Sequence, residues 1–275
     1  LIGFVGAGLM GAGMVRNLDA AGHTVRLYAR HPDRVSGVPA RLAESIAAAV
    51  DGADVGMSCV TDSEDVREVV GAMLSASTPP PVIVETSTIA PAVARALADD
   101  CRRRGVAYLD CPLSGGPPGA DAGTLAVMVG GDPDALDRVT PVLDAIGDPA
   151  KRIHCGEAGL GLVAKLVNNL MVAVIAAGTA EALSVGQRAG LDPDLAREVA
   201  MRASGDSWQL RNLFPRVLAG EHRPGFTTRN LLKDLGHARD LAEGRGARDL
   251  LAATPPDADY GAVARLLMDL PEQSG

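Results

Sequence analysis

Six short apolar runs, Leu1 to Val5, Thr24 to Tyr28, Asp54 to Val60, Val82 to Thr86, Val106 to Asp110 and Leu125 to Val129, alternate with helical stretches and show almost no inward/outward alternation. Strands that lack alternation are covered on both faces, so this βαβα rhythm predicts an α/β, mostly parallel, doubly wound sheet. Pro91 and Pro133 suit first-turn positions of helices over Pro91 to Arg104 and Pro133 to Ile146. After Gly161 the strand signal stops. Leu162 to Ala189 is one long, mainly apolar stretch without proline, which predicts a helix buried on most sides. Shorter helices are expected at Pro193 to Ala203, Trp208 to Leu218, Arg229 to Glu243 and Tyr260 to Leu270, so the second half reads as all-α. So few residues surround the long helix that a second subunit is expected to cover part of it, as a homodimer or homotetramer.

With 47% hydrophobic and 22% charged residues in 275, the chain has an ordinary globular composition and little room for extended disorder. A net charge of -8, without a block of five like charges, argues against nucleic acid or an anionic membrane surface as partner. Cys59, Cys101, Cys111 and Cys155 lack the spacing of a zinc site or a disulfide framework, which favours a reducing, cytoplasmic compartment. Charges and amides interrupt the apolar stretches before 18 residues, and Leu1 to Val5 runs into a glycine turn, so neither a membrane span nor an export signal is expected. His31, His154 and His237 are dispersed, and no metal site is expected.

The first chemical signal is Gly6-Ala7-Gly8-Leu9-Met10-Gly11, between the first strand and a helix through Met14 and Leu18. Gly6 permits a tight turn, Gly8 lets backbone approach a pyrophosphate, and Gly11 lets the helix pack closely. The phosphates would meet free N–H groups at the positive end of that helix. At the end of the second strand, where an acid suits a ribose hydroxyl and an arginine a 2′-phosphate, the chain has Arg30, followed by Arg34. NADP is the expected cofactor, with NAD possible; the alternative is that both arginines are solvated loop cations. A second signal is Ser114-Gly115-Gly116, in a run so rich in glycine and proline that its backbone N–H groups can form a nest for a carboxylate. A crossover loop without a ligand is the alternative there. The third is Lys165, emerging from an apolar face of Leu162, Val163, Leu166 and Val167, with Asn168 and Asn169 one turn on. Burial would lower its pKa toward neutrality and suit it for proton transfer. A snorkelling surface lysine is the bland reading.

In order and spacing, the glycine loop through Met14, Thr86 to Pro91, Ser114-Gly115-Gly116 with Gly119-Ala120 and Gly123-Thr124-Leu125, Gly159 to Asn169, and Leu232-Lys233-Asp234-Leu235 resemble the β-hydroxyacid dehydrogenase family over nearly the whole chain. The resemblance implies a Rossmann-type NADP-binding domain at 1–155 and an all-α substrate and dimerisation domain at 156–275 built on the long helix. It implies Lys165 as general acid/base, Asn169 as substrate-orienting amide, and Ser114, Gly115 and Gly116 as the substrate carboxylate loop. It puts Thr88 on the nicotinamide side, Lys233 near the cofactor, and Thr61 and Phe226 among the cofactor positions. Gly205 to Trp208 looks like the tryptophan-bearing segment of 3-hydroxyisobutyrate dehydrogenases, although Trp208 alone reads equally as core aromatic or pocket wall.

Departures from the family pattern are Cys111 and Leu113, Ala29 and His31 around the retained Arg30, and a short C-terminal end. The implied reaction interconverts a small 3-hydroxy acid and its semialdehyde. Imine reductases, glyoxylate and succinic semialdehyde reductases, and a non-catalytic NADP-binding interaction module are the alternatives. Lys165 counts against the first and the last, because imine reductases usually carry aspartate or tyrosine there and a non-catalytic module would be expected to lose it. Asn168 and the length count against a 6-phosphogluconate dehydrogenase, and Arg30 against a methyltransferase.

Overall fold

The computed structural model describes residues 1–35, 37–221 and 227–241. Its strands are β1 (Ile2–Val5), β2 (Val25–Tyr28), β3 (Arg41–Leu42), β4 (Val55–Ser58), β5 (Val82–Glu85), β6 (Ala107–Asp110), β7 (Leu113–Ser114), β8 (Leu125–Gly130) and β9 (Gly147–Gly156). Between them run α1 (Leu9–Ala20), α2 (Ile46–Val50), α3 (Ser63–Leu74), α4 (Pro91–Arg103), α5 (Gly116–Ala122) and α6 (Pro133–Ile146). The helical part follows as α7 (Leu160–Arg188), α8 (Pro193–Arg202), α9 (Phe214–Leu218) and α10 (Thr228–Leu241). Leu1–Ala238 form one compact unit, and of the second, Arg239–Gly275, only 239–241 are among the described residues.

The sheet runs β3-β2-β1-β4-β5-β6, all parallel, and continues through β8, which is antiparallel to β6 and β7 and parallel to β9. Both faces are covered. Ile2, Phe4, Met57, Val84 and Leu109 pack with Met14, Leu18 and Leu143 of α1 and α6 on one side. Val5, Ile83 and Tyr108 pack with Val66, Met73, Ala94 and Leu97 of α3 and α4 on the other. That double burial is why β1, β4 and β5 are apolar or glycine-rich without alternation. The Ser114 segment continues the ladder of β6 in the same register, Asp110 opposite Gly130, Leu113 opposite Val127 and Ser114 opposite Ala126.

One register row crosses the sheet at its C-terminal edge: Tyr28, Val5, Ser58, Glu85, Asp110 and Gly130. Ser58, Glu85 and Asp110 are polar and fully buried; Glu85 and Asp110 grip backbone beyond the edge, and the Ser58 hydroxyl donates to Glu85. Asp110 accepts from the Gly159 and Leu162 N–H groups at 2.7 and 2.9 Å, so its carboxylate caps α7 from the sheet. There the helix presses onto the strands. A Cβ on Gly161 would lie 2.7 Å from the Gly130 nitrogen and 2.8 Å from the Asp110 and Met128 carbonyl oxygens.

The long helix begins two residues earlier than its apolar pattern predicts, and it is not buried on most sides. Within this chain its buried residues are Gly161, Leu162, Lys165, Leu166, Asn169 and Leu183, while Val167, Leu170, Met171 and Val174 are exposed. By length and composition it could also cross a membrane, with an 18-residue window of mean hydropathy 1.9, so charges and amides alone do not exclude it from that class. The segment Trp208 to Leu218 opens as a wide turn at Gln209–Leu213 before α9, whose Pro215 has no N–H to continue a ladder. Tyr260 to Leu270 lies outside the described residues.

Candidate active site

In a parallel sheet the loops past the C-terminal strand ends share one edge, and here the glycine loop, Cys59 to Thr61, Thr86 to Thr88 and the Ser114 segment all lie past the buried row. The glycine loop is shaped by close backbone contact. Gly6 has φ +94°, and a Cβ on it would sit 2.3 Å from the Cys59 carbonyl oxygen; one on Gly11 would sit 2.0 Å from that of Gly6. In front of Gly8 nothing stands within 4 Å. No side chain caps α1 and no acid occupies its first turn, so Gly8, Leu9 and Met10 begin a helix whose positive end is uncompensated. Leu9 is exposed and Ala7 half-buried. A cradle of this form fits a pyrophosphate.

Arg30 follows β2 and donates from Nη2 to Asp65 Oδ1 at 2.8 Å, in the first turn of α3. The pair raises the already high arginine pKa, chiefly through that hydrogen bond, and the guanidinium stays exposed with further donors to spare. Arg34 lies in the 3-10 turn Pro32–Val35.

Lys165 and Asn169 lie one turn apart on the buried face of α7, 7% and 3% exposed. Burial lowers the lysine pKa to about 8, and Lys233 pushes the same way, while Asp234 opposes them. Asp234 did not stand out as a candidate in the sequence. Only 2% exposed, it accepts from Asn169 Nδ2 at 2.7 Å, and Asn168 Nδ2 donates to Asn169 Oδ1 at 3.1 Å. The amide of Asn169 is thus held at both ends and keeps one N–H for another acceptor. Lys233 ties α10 to the sheet: its Nζ donates to the Thr88 carbonyl and, at 3.3 Å, to the Thr61 carbonyl, and pairs with Asp234 Oδ1 at 3.2 Å. Six side chains and loops that lie far apart in sequence therefore meet: Lys165, Asn169, Lys233, Asp234, Thr61 and Thr88.

The Ser114 segment differs from the free loop its composition suggests. Gly115 at φ +136° is the N-cap of α5 and Gly116 at φ +62° begins it, so regular structure starts inside the expected nest. Pro117 and Pro118 have no N–H, and Gly119 N–H is taken by the Gly115 carbonyl at 3.2 Å. Ser114 is paired with Ala126 in the β7–β8 ladder, so the amides left to an anion are those of Gly115 and Gly116, with the Ser114 hydroxyl beside them. Trp208 is 68% exposed, which removes its reading as a core aromatic. Phe226 lies outside the described residues.

The sequence also left unmarked a buried polar knot beneath Thr61 and Thr88. Glu85 accepts from the Ser58 hydroxyl and, at 2.7 Å, from the Ser87 N–H. Burial pushes its pKa up to about 7 against the pull of those bonds. An acid ending an apolar strand is the signal that could have found it. Among the described residues no group of three or more His, Cys, Asp or Glu could hold a metal.

The chain is similar to known proteins over nearly its whole length. Residues 1–158 match the NAD binding domain of 6-phosphogluconate dehydrogenase, and residues 159–256 the NAD-binding domain of NADP-dependent 3-hydroxyisobutyrate dehydrogenase. A 3-hydroxyisobutyrate dehydrogenase of Pseudomonas aeruginosa is 37% identical over 99% of this chain and 92% of its own length. An NAD-dependent L-serine dehydrogenase of the same organism is 38% identical over 88% of this chain and 85% of its own. Among solved structures, Mycobacterium tuberculosis 3-hydroxyisobutyrate dehydrogenase with L-serine superposes with a TM-score of 0.83 and 34% identity, covering 97% of this chain and 98% of that one. The chain belongs to the β-hydroxyacid dehydrogenase family, and is an NAD(P)-dependent oxidoreductase resembling 3-hydroxyisobutyrate dehydrogenase.

Proposed function

We propose that the enzyme interconverts a small 3-hydroxy acid of the 3-hydroxyisobutyrate type and its semialdehyde, with NADP preferred over NAD. The observation that carries the reading is a buried lysine of lowered pKa one helical turn from an amide held by a buried carboxylate. A nicotinamide dinucleotide, when bound, supplies the hydride acceptor for oxidation and the donor for reduction. The amides of Gly6 to Gly11 would hold its pyrophosphate, Arg30 and Arg34 its 2′-phosphate, and Thr61, Thr88 and Lys233 its nicotinamide side, with Phe226 alongside. Ser114, Gly115 and Gly116 take the substrate carboxylate, and Trp208 lines the substrate side. Neutral Lys165 accepts the proton of the substrate hydroxyl, which Asn169 orients through its remaining N–H, and in the reverse direction the Lys165 ammonium returns it. Residues 1–155 serve the cofactor and 156–275 the substrate and a second subunit, and the free cysteines suit a cytoplasmic setting.

A second substrate is favoured by a specific finding: the L-serine dehydrogenase relative matches as well as the 3-hydroxyisobutyrate dehydrogenase, and L-serine is itself a 3-hydroxy acid. Initial rates with 3-hydroxyisobutyrate and L-serine, and with methylmalonate, succinic and tartronate semialdehydes, glyoxylate and cyclic imines, decide among these. Turnover confined to imines would overturn the proposal. Lys165→Met should lower kcat by at least about 10²-fold with NADPH affinity nearly intact, because the phosphate cradle is in the other half of the chain. Near-normal kcat in that variant would move the proton-transfer role elsewhere, most directly to Lys233.

A further inference from the structure

Ser58, Glu85, Thr86 and Ser87 are buried and take no part in the proton transfer described above. We propose that Glu85 is a positioning residue for Lys233: its carboxylate locks the ends of β4 and β5 together, so that the carbonyls of Thr61 and Thr88 converge on the Lys233 ammonium. The inference rests on the placing of Lys233 at the cofactor side.

The bonds form a ladder that climbs from the sheet to the site. At its foot Glu85 Oε2 takes the Ser58 hydroxyl and Oε1 the Ser87 N–H at 2.7 Å. The Ser58 carbonyl accepts twice from Thr86, from its N–H at 2.9 Å and from its hydroxyl at 2.7 Å. The Ser87 hydroxyl in turn accepts from the Val60 N–H at 2.8 Å. Val60 and Ser87 are the residues immediately before Thr61 and Thr88, so the last rung ties the two chains together one residue ahead of the carbonyls that meet Lys233. An ammonium has three N–H donors. Here the Thr61 and Thr88 carbonyls accept from it and Asp234 Oδ1 is ion-paired with it at 3.2 Å, and both carbonyls stand on loops that Glu85 joins. Asp234 then holds Asn169 beside Lys165, so a displaced Lys233 would disturb the pair that aims the amide.

A carboxyl with 0% exposure is expensive to keep in a core, and an isosteric apolar residue would cost the fold less. Its retention at the strand end is accounted for by the backbone it organises.

The test is a double-mutant cycle on the full-length enzyme with NADPH and whichever substrate it turns over. Glu85→Ala and Ser87→Ala are each made with Lys233 and with Lys233→Met. Steady-state kinetics, NADPH dissociation constants from fluorescence titration and thermal midpoints are read for all. Each single variant should lower kcat/KM by about 5- to 100-fold, the size expected for a stranded buried polar group, and should shift NADPH affinity in the direction Lys233→Met does. In the Lys233→Met background neither should lower kcat/KM further, while the loss of thermal stability persists in both backgrounds. Glu85→Gln can still accept the Ser87 N–H and should restore most of the activity. Kinetic losses that multiply with those of Lys233→Met would overturn the proposal, as would normal kinetics in Ser87→Ala. If Lys233→Met alone changes nothing, the cofactor-side placing of Lys233 itself fails. Should Glu85→Ala not fold, Ser87→Ala, which deletes one hydroxyl, carries the cycle.

Discussion

Lys165 loses its proton more readily than an ordinary lysine because α7 turns it into protein instead of solvent, and burial outweighs the opposing charge of Asp234. With its pKa near 8, alcohol oxidation, which needs the neutral amine, should speed up as pH rises through about 8, and carbonyl reduction, which needs the ammonium, should slow over the same range. Profiles of kcat/KM in the two directions that moved together would contradict this. Glu85 gives a stability test with a definite sign. Its folded pKa is raised from 4.5 to about 7, so between those values the folded chain binds the proton more tightly than the unfolded chain. The stabilisation is complete below the unfolded value and is lost as pH climbs through the folded one. Relative to wild type, Glu85→Gln should therefore gain stability from about pH 5 to about pH 8 in urea unfolding, and a constant difference would refute the burial argument. Arg30→Ala should narrow any preference for NADP over NAD by about 10- to 150-fold, read from kcat/KM with both cofactors. Lys165 and Asn169 stood out from their own neighbours on an apolar helix face, whereas Lys233 came only with the family resemblance. Asp234 and Glu85 were not singled out: Asp234 stands in a motif read for its lysine, and the acid that ends the apolar run of β5 gains its meaning from the partners the fold brings to it.

Among the elements, the parallel strands were legible because burial on both faces leaves an apolar run without alternation. β3 and β7 were not, being two residues each, nor was β9, an edge strand whose exposed Lys151 and charged neighbours Asp148 and Arg152 blur any pattern. Glycines separate by what surrounds them. Gly161→Ala would drive a Cβ into three backbone atoms within 2.8 Å and should cost about 1–3 kcal/mol in chemical denaturation. Gly71→Ala, in the interior of α3 with nothing within 4 Å, should gain about 0.5–1 kcal/mol. Equal effects of the two would show that close approach at the head of α7 is not what Gly161 provides.

At the scale of the whole molecule, α7 leaves much of its apolar surface uncovered by this chain's described residues. Val167, Leu170, Met171 and Val174 form an exposed stripe at helical spacing, with Val185, Leu191, Leu195 and Val199 exposed further along. Light scattering at micromolar concentration should therefore give at least a dimer, and Met171→Glu with Val174→Glu should shift it toward monomer; a monomeric wild type would dispose of the idea. By itself the sequence determined the doubly wound sheet, the glycine cradle and the switch to helices after Gly161, because periodicity and backbone freedom are local properties that a few adjacent residues express. What tertiary structure alone decided is which distant groups meet. The register row of Ser58, Glu85 and Asp110, the capping of α7 by Asp110, and the junction of Lys233 with Thr61, Thr88 and Asp234 join residues up to 172 positions apart. Such contacts arise from strand order and helix docking, which sum over the whole chain, and no segment of sequence states them.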